Sequence, residues 1–189
     1  KCMENSQKGS MFAILNLDHN EINQICKAVQ QETGQVISPA NINSPNQVVI
    51  AGFDEAATIA ANKCKEAGAK RCIQLKVSVA SHCNLMDEAA RIFKKDLDEH
   101  TFNKPEIPII HNVDAKIEQD IANIPKKLLN QLTLPVQWTK TMEHIKTFDG
   151  VVIECGPGKV LSGLAKTNGL ANILSMSSET FEDDLKGLL

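Results

Sequence analysis

The order of apolar runs between Met11 and Val77 limits the fold more than any other feature of this sequence. "MFAILNL" (Met11 to Leu17) is short and apolar and reads as a strand. Asp18 then caps a helix running through Glu32, with Ile22, Ile25, Cys26 and Val29 at helical spacing and Gly34 at its end. "QVISPANINS" and "QVVIAG" follow as two strands, joined by a turn at Ser44-Pro45-Asn46. "DEAATIAANKCKEAGAK" is a second helix closed by Gly68, and "RCIQLKV" is a fourth strand.

That succession is βαββαβ, the split βαβ order of ferredoxin-like modules. Such modules host unrelated functions, so the order alone assigns none. The remainder alternates differently. A helix is expected from Asn84 to about His100, with Leu85, Ala89, Phe93 and Leu97 on one face. "IPIIHNV" (Ile107 to Val113) reads as a buried strand, and Pro125 suits the first turn of a short helix ending near Leu132. "PVQWTKTMEHIKTF" gives another helix, with Trp138, Met142 and Ile145 inward. "VVIEC" is a strand that turns through "GPGK" into the helix "VLSGLAKTNG", and "ILSM" and "ETFEDDLKGLL" close as strand and helix. This alternation predicts an α/β part with a parallel sheet covered on both faces. A sheet this short is expected to take further strands from upstream. There is no internal repeat and no low-complexity linker.

Composition removes several functions. One Trp and no Tyr leave no aromatic platform for single-stranded nucleic acid, and a net charge of −3 gives no basic footprint. No apolar run reaches the ~18 residues of a membrane-spanning helix, and no signal-peptide pattern precedes the first strand. Cys2, Cys26, Cys64, Cys72, Cys83 and Cys155 show no CxxC and no Cys/His cadence. Zinc is therefore not expected, and reduced thiols in a cytoplasmic protein are. The opening "KCMENSQKGSMFAIL" lacks an initiator Met and enters a strand at once, so it reads as a piece of a longer protein.

The sharpest chemical signal is "VSVASHCNLM" (Val77 to Met86). His82 follows a strand on the connection into a helix, where α/β proteins place their ligand sites. It is either a general base or a residue that caps and packs. Its neighbour Cys83 points the opposite way in an extended segment and is not a nucleophile served by His82. Asn41 and Asn43 in "ANINSPNQ" either bind a polar ligand or satisfy their own turn. Gln137, next to the only Trp, and Asn112, at a strand end, are weak locators alone. "GPGK" lacks the GxxxxGK[ST] of a phosphate loop and reads as a tight turn. His19, His100, His111 and His144 share no spacing.

Taken in order, "NINSPNQVVIAG", "GAKRCIQLKVSVASHCNLM", "IPIIHNVDA", "LPVQWTK" and "ECGPGKVLSGLAK" resemble the bacterial malonyl-CoA:acyl carrier protein transacylases, over nearly the whole chain. The resemblance implies an α/β-hydrolase-like acyltransferase domain carrying an inserted ferredoxin-like subdomain. Residues 11–77 would be that small subdomain and 78–189 the C-terminal part of the large one. It implies that His82 is the general base, with Ser78 and Ser81 in register. The backbone carbonyl of Gln137 would hold its imidazole. Asn41, Asn43 and Ser81 would face the acyl group. The nucleophile segment GHSxGE, the N-terminal GQGSQ and the arginine for the malonyl carboxylate have no counterpart here, so the resemblance implies the C-terminal portion of the enzyme. Expected partners are malonyl-CoA, acyl carrier protein and the N-terminal part of the same enzyme, with neither nucleic acid nor membrane. No metal or redox cofactor is implied. Two other readings stand beside it: an acyltransferase taking another acyl-CoA such as methylmalonyl-CoA, and a non-catalytic module that binds a carrier or other protein. Lys63, Lys65, Lys70 and Arg71 are candidate contacts for an acidic carrier.

Overall fold

A computed structural model describes Met3, residues 7–77 and residues 79–187. Cys2 and Ser78 lie outside the described residues. The chain divides into two compact units, one running to Trp138 and one starting at Thr139.

The first unit begins with β1 (Ser10–Leu15), α1 (His19–Thr33), β2 (Ile37–Ser44), β3 (Gln47–Gly52), α2 (Asp54–Glu66) and β4 (Arg71–Gln74). The four strands form one sheet in the order β2-β3-β1-β4, and every neighbouring pair is antiparallel. Local chemistry sets the ends of α1. The Asp18 carboxylate accepts from the Asn20 and Glu21 amides at 2.9 and 3.2 Å, and Gly34 leaves the helix at φ 68°.

The two sheet faces are built differently. Ile14, Ile37, Val48 and Ile50 pack with Ile22, Val29, Ala57, Ala60 and Cys64 of the helices. The opposite face carries Ala13, Ala40, Val49 and Ala51, and its cluster includes Ala80, Cys83, Leu85 and Met86. Small residues on this face let the 80–86 segment come close to the backbone. Gly9 belongs to the same fit, since a Cβ there would collide with the Gly52 carbonyl and with Ala80.

The rest of the first unit comprises a 3₁₀ turn at Asn84–Met86, α3 (Asp87–Asp98), a hairpin of β5 (Ile110–His111) and β6 (Lys116–Ile117), and α4 (Ile124–Thr133), which packs on α3. The buried strand expected over Ile107 to Val113 is not formed. Only two of those residues pair, Ile107 is 78% exposed, and the chain turns back at Ala115, φ 56°. Pro105 and Pro108 explain this, because neither ring nitrogen can donate to a strand ladder.

The second unit comprises α5 (Trp138–Ile145, whose first residue closes the other unit), β7 (Val152–Glu154), α6 (Val160–Thr167), β8 (Ile173–Ser175) and α7 (Phe181–Lys186). β7 and β8 pair in parallel, Val152 opposite Ile173. Within the described residues this sheet has two strands, and Val160, Leu161, Ile153 and Met176 are exposed. The expected covering of both faces is not realised within these residues. No helix among the described residues is long and apolar enough to cross a membrane.

Candidate active site

His82 is held at two points in a strained backbone conformation. Its backbone takes φ 61°, a left-handed conformation that costs a non-glycine residue about 1 kcal/mol. Its N–H donates to the Leu132 carbonyl at 3.0 Å, and its Nδ1 lies 2.7 Å from the Gln131 carbonyl oxygen. A carbonyl oxygen only accepts, so Nδ1 carries the proton and Nε2 keeps its lone pair. That is the tautomer a general base requires.

Both acceptors belong to the last turn of α4, whose carbonyls have no helical partner by right. The reason is local. A continuing helix would pair Gln131 O with the N–H of residue 135, and residue 135 is proline. Leu134 is extended (φ −110°, ψ 155°), as a residue before proline prefers. Val136 N then turns to Ala40 O at 2.9 Å, leaving Leu132 O for His82. Gln137, expected to hold the imidazole, does not supply this carbonyl. The oxygen on Nδ1 is Gln131's, while Gln137 N–H donates to Asn112 O at 2.7 Å. The position four before the proline marked the orphaned carbonyl, and that signal was available in "NQLTLPVQW".

This arrangement gives a prediction. Pro135→Ala supplies an N–H that competes for Gln131 O. If His82 is the base, turnover in the complete protein should fall by roughly tenfold, a fraction of the loss that misplacement of a catalytic group can cause. Unchanged turnover would mean that the proline does not guard this carbonyl.

The strand β2 reaches the same place from the other side. Val136 forms a parallel bridge with Asn41, and Ile42 N donates to Val136 O at 2.8 Å. The 132–136 stretch thus joins β2 at one end and His82 at the other. Asn41, Asn43 and Ser81 are half-buried. Cys83 is fully buried, donates to Ala80 O, and burial pushes its thiol up to about 11, so it is no thiolate nucleophile. A cavity of about 440 Å³ lies against α4, lined by Phe102, Ile109, Asn112, Leu128 and Gln131 among others. No cluster of three or more His, Cys, Asp or Glu among the described residues could hold a metal ion.

In the second unit "GPGK" is a turn, as expected. Gly156 and Gly158 take φ 146° and 85°, and the Lys159 ammonium reaches Ser178 Oγ at 3.4 Å. The residue that sequence reasoning missed is Glu154. Its buried carboxylate accepts from the Leu161 and Ser162 amides, each at 2.9 Å, and from the Ser162 hydroxyl at 2.6 Å. The Ser162 hydroxyl above all, with both amides, outweighs burial and holds this carboxyl below the usual range.

The acyl transferase domain family matches residues 1–180 of the chain. Over 160 residues the chain is 50% identical to the malonyl CoA-acyl carrier protein transacylase of Salmonella typhimurium, covering 84% of this chain and 51% of that protein. Among solved structures, FabD from Acinetobacter baumannii superposes with a TM-score of 0.91 at 38% identity, over 99% of this chain and 61% of that one. The acyl carrier protein S-malonyltransferase from Vibrio cholerae gives 0.90 at 41% identity, over 97% and 61%. The chain spans about half the length of the curated relatives it matches.

Proposed function

The chain belongs to the acyl transferase family, and from that premise we propose that its parent protein transfers malonyl from coenzyme A to the phosphopantetheine thiol of an acyl carrier protein. The observation that carries the reading is the fixed imidazole of His82, its Nδ1–H on Gln131 O and its Nε2 free to take a proton. No G-x-S-x-G occurs in these 189 residues, so the nucleophilic serine is assigned to a part of the protein outside them.

The chemistry proceeds in two halves. His82 Nε2 takes the serine proton as the serine oxygen bonds the thioester carbonyl carbon. Collapse breaks the carbon–sulfur bond, and the imidazolium protonates the departing coenzyme A thiolate. In the second half His82 takes the proton of the carrier thiol, whose sulfur attacks the serine ester. The serine oxygen leaves and recovers that proton. Asn41, Asn43 and Ser81 are proposed to contact the acyl or pantetheine group. Gln137 acts one step back, through its N–H on Asn112.

The βαββαβ order and the all-antiparallel β2-β3-β1-β4 sheet support reading residues 11–77 as the ferredoxin-like small subdomain. Residues 78–189 then form the C-terminal part of an α/β-hydrolase-like large subdomain. Free thiols at Cys26, Cys64, Cys72, Cys83 and Cys155 suit a cytoplasmic protein.

Intact-mass spectrometry of the complete protein after mixing with malonyl-CoA tests the proposal. We expect a covalent gain of one malonyl group, discharged by holo acyl carrier protein and outcompeting methylmalonyl-CoA. A protein that gains no acyl group would overturn the reading, and preferential loading of methylmalonyl would change its substrate.

A further inference from the structure

We propose that Lys127 is a positioning residue for His82: by tying α4 to the β5–β6 hairpin it holds the Gln131 carbonyl under the imidazole. The inference rests on the general-base reading of His82. Lys127 lies one turn ahead of Gln131 on α4, and its side chain is 13% exposed. Its ammonium is 2.9 Å from Asp114 Oδ2 and 3.3 Å from Glu118 Oε2. Both carboxylates are fixed before Lys127 arrives. Asp114 Oδ1 accepts from the Lys116 amide at 3.2 Å, and Glu118 Oε1 from the Gln119 and Asp120 amides at 3.0 Å each. The hairpin therefore offers two anchored acceptors, and Lys127 joins α4 to both.

The same hairpin holds the other end of the stretch, since Asn112 O accepts Gln137 N–H at 2.7 Å. The two carbonyls that seat His82, at 131 and 132, lie between these ties. α4 also packs on α3, and these polar ties fix it to the hairpin. Its N-terminus has no side-chain cap, and Pro135 follows close behind its C-terminus. The exposed pairs Lys63–Glu32 and Arg91–Glu88 are of the kind that contribute little. Lys127 is different: removing it strands two anchored carboxylates, one of them largely buried. Burial disfavours its charge, yet the bonds to Asp114 and Glu118 prevail and hold its pKa above the ordinary lysine value.

The test uses the complete protein. In Lys127→Met we expect kcat for malonyl transfer to fall by about 10- to 100-fold, the scale of a small misplacement of a catalytic group, with KM for malonyl-CoA changing less. Lys127→Arg should recover most of the loss. Nitrogen-15 NMR of labelled histidines should show the Nδ1–H form of His82 losing population in Lys127→Met and regaining it in Lys127→Arg. A bystander ion pair would not produce that signature. Should Lys127→Met fail to fold, Asp114→Ala with Glu118→Ala removes the same ties from the hairpin side and carries the same expectation. Unchanged kcat together with an unchanged His82 tautomer would overturn the inference. Failure of the underlying reading looks different: the unsubstituted protein would gain no malonyl group, or His82→Ala would remain active.

Discussion

Under the proposed mechanism, replacing His82 with alanine in the complete protein should lower malonyl transfer by about four to six orders of magnitude while leaving the protein folded. The size follows from triad-type enzymes, where loss of the base removes nearly all of the gain that the reacting unit supplies. In the proposed mechanism Nε2 takes the serine proton and returns it to the leaving thiolate, and the variant has no group in its place. The side chain itself is half-buried and contributes one bond, to Gln131 O, so the fold survives its removal. Backbone strain sharpens the experiment. At φ 61° alanine keeps the left-handed penalty and glycine does not, so His82→Gly should be the more stable variant by about 1 kcal/mol. Both should be equally inactive in steady-state transfer to holo acyl carrier protein. Appreciable turnover in either variant would remove His82 from the mechanism.

Where the chain's local rules agreed with its packing, the sequence was readable. The apolar run of "QVVIAG", the Asp18 cap and the Pro45-Asn46 turn each have one good solution, and β3, α1 and the β2-β3 hairpin use them in turn. The placement of His82 on a strand-to-helix connection was readable too, and its role as base is the proposed one. Its partner was misassigned for a physical reason. Gln131 and Gln137 look alike in "NQLTLPVQW", and only the bookkeeping of helix carbonyls against Pro135 separates them. The apolar run Ile107 to Val113 misled because hydrophobicity was weighed ahead of its prolines. Glu154 and Lys127 were invisible for another cause. Their partners lie seven to thirteen residues away on different elements, and no periodicity records a carboxylate turned back onto a helix or hairpin.

The largest stability effect falls on β3, whose two faces serve different ends. Ile50 is fully buried in the helix-side cluster, so Ile50→Ala removes a branched side chain from a packed interior, costing about 2–5 kcal/mol. Chemical denaturation should show that loss. Turnover measured well below the transition should stay near normal, because the vacated space lies across the sheet from the segment bearing His82. Ala51, the next residue, belongs to the opposite cluster with Ala80, Cys83 and Met86. Ala51→Leu overfills that face at a smaller cost of about 1–3 kcal/mol. It should nevertheless reduce kcat by roughly 10- to 100-fold, since the segment it displaces places the imidazole. The two substitutions therefore separate stability from catalysis between adjacent residues of one strand. If Ile50→Ala lost turnover while fully folded, or Ala51→Leu kept it, the alanine face would not be the seat of His82. Burial in the first cluster and close approach in the second would then be the same kind of core.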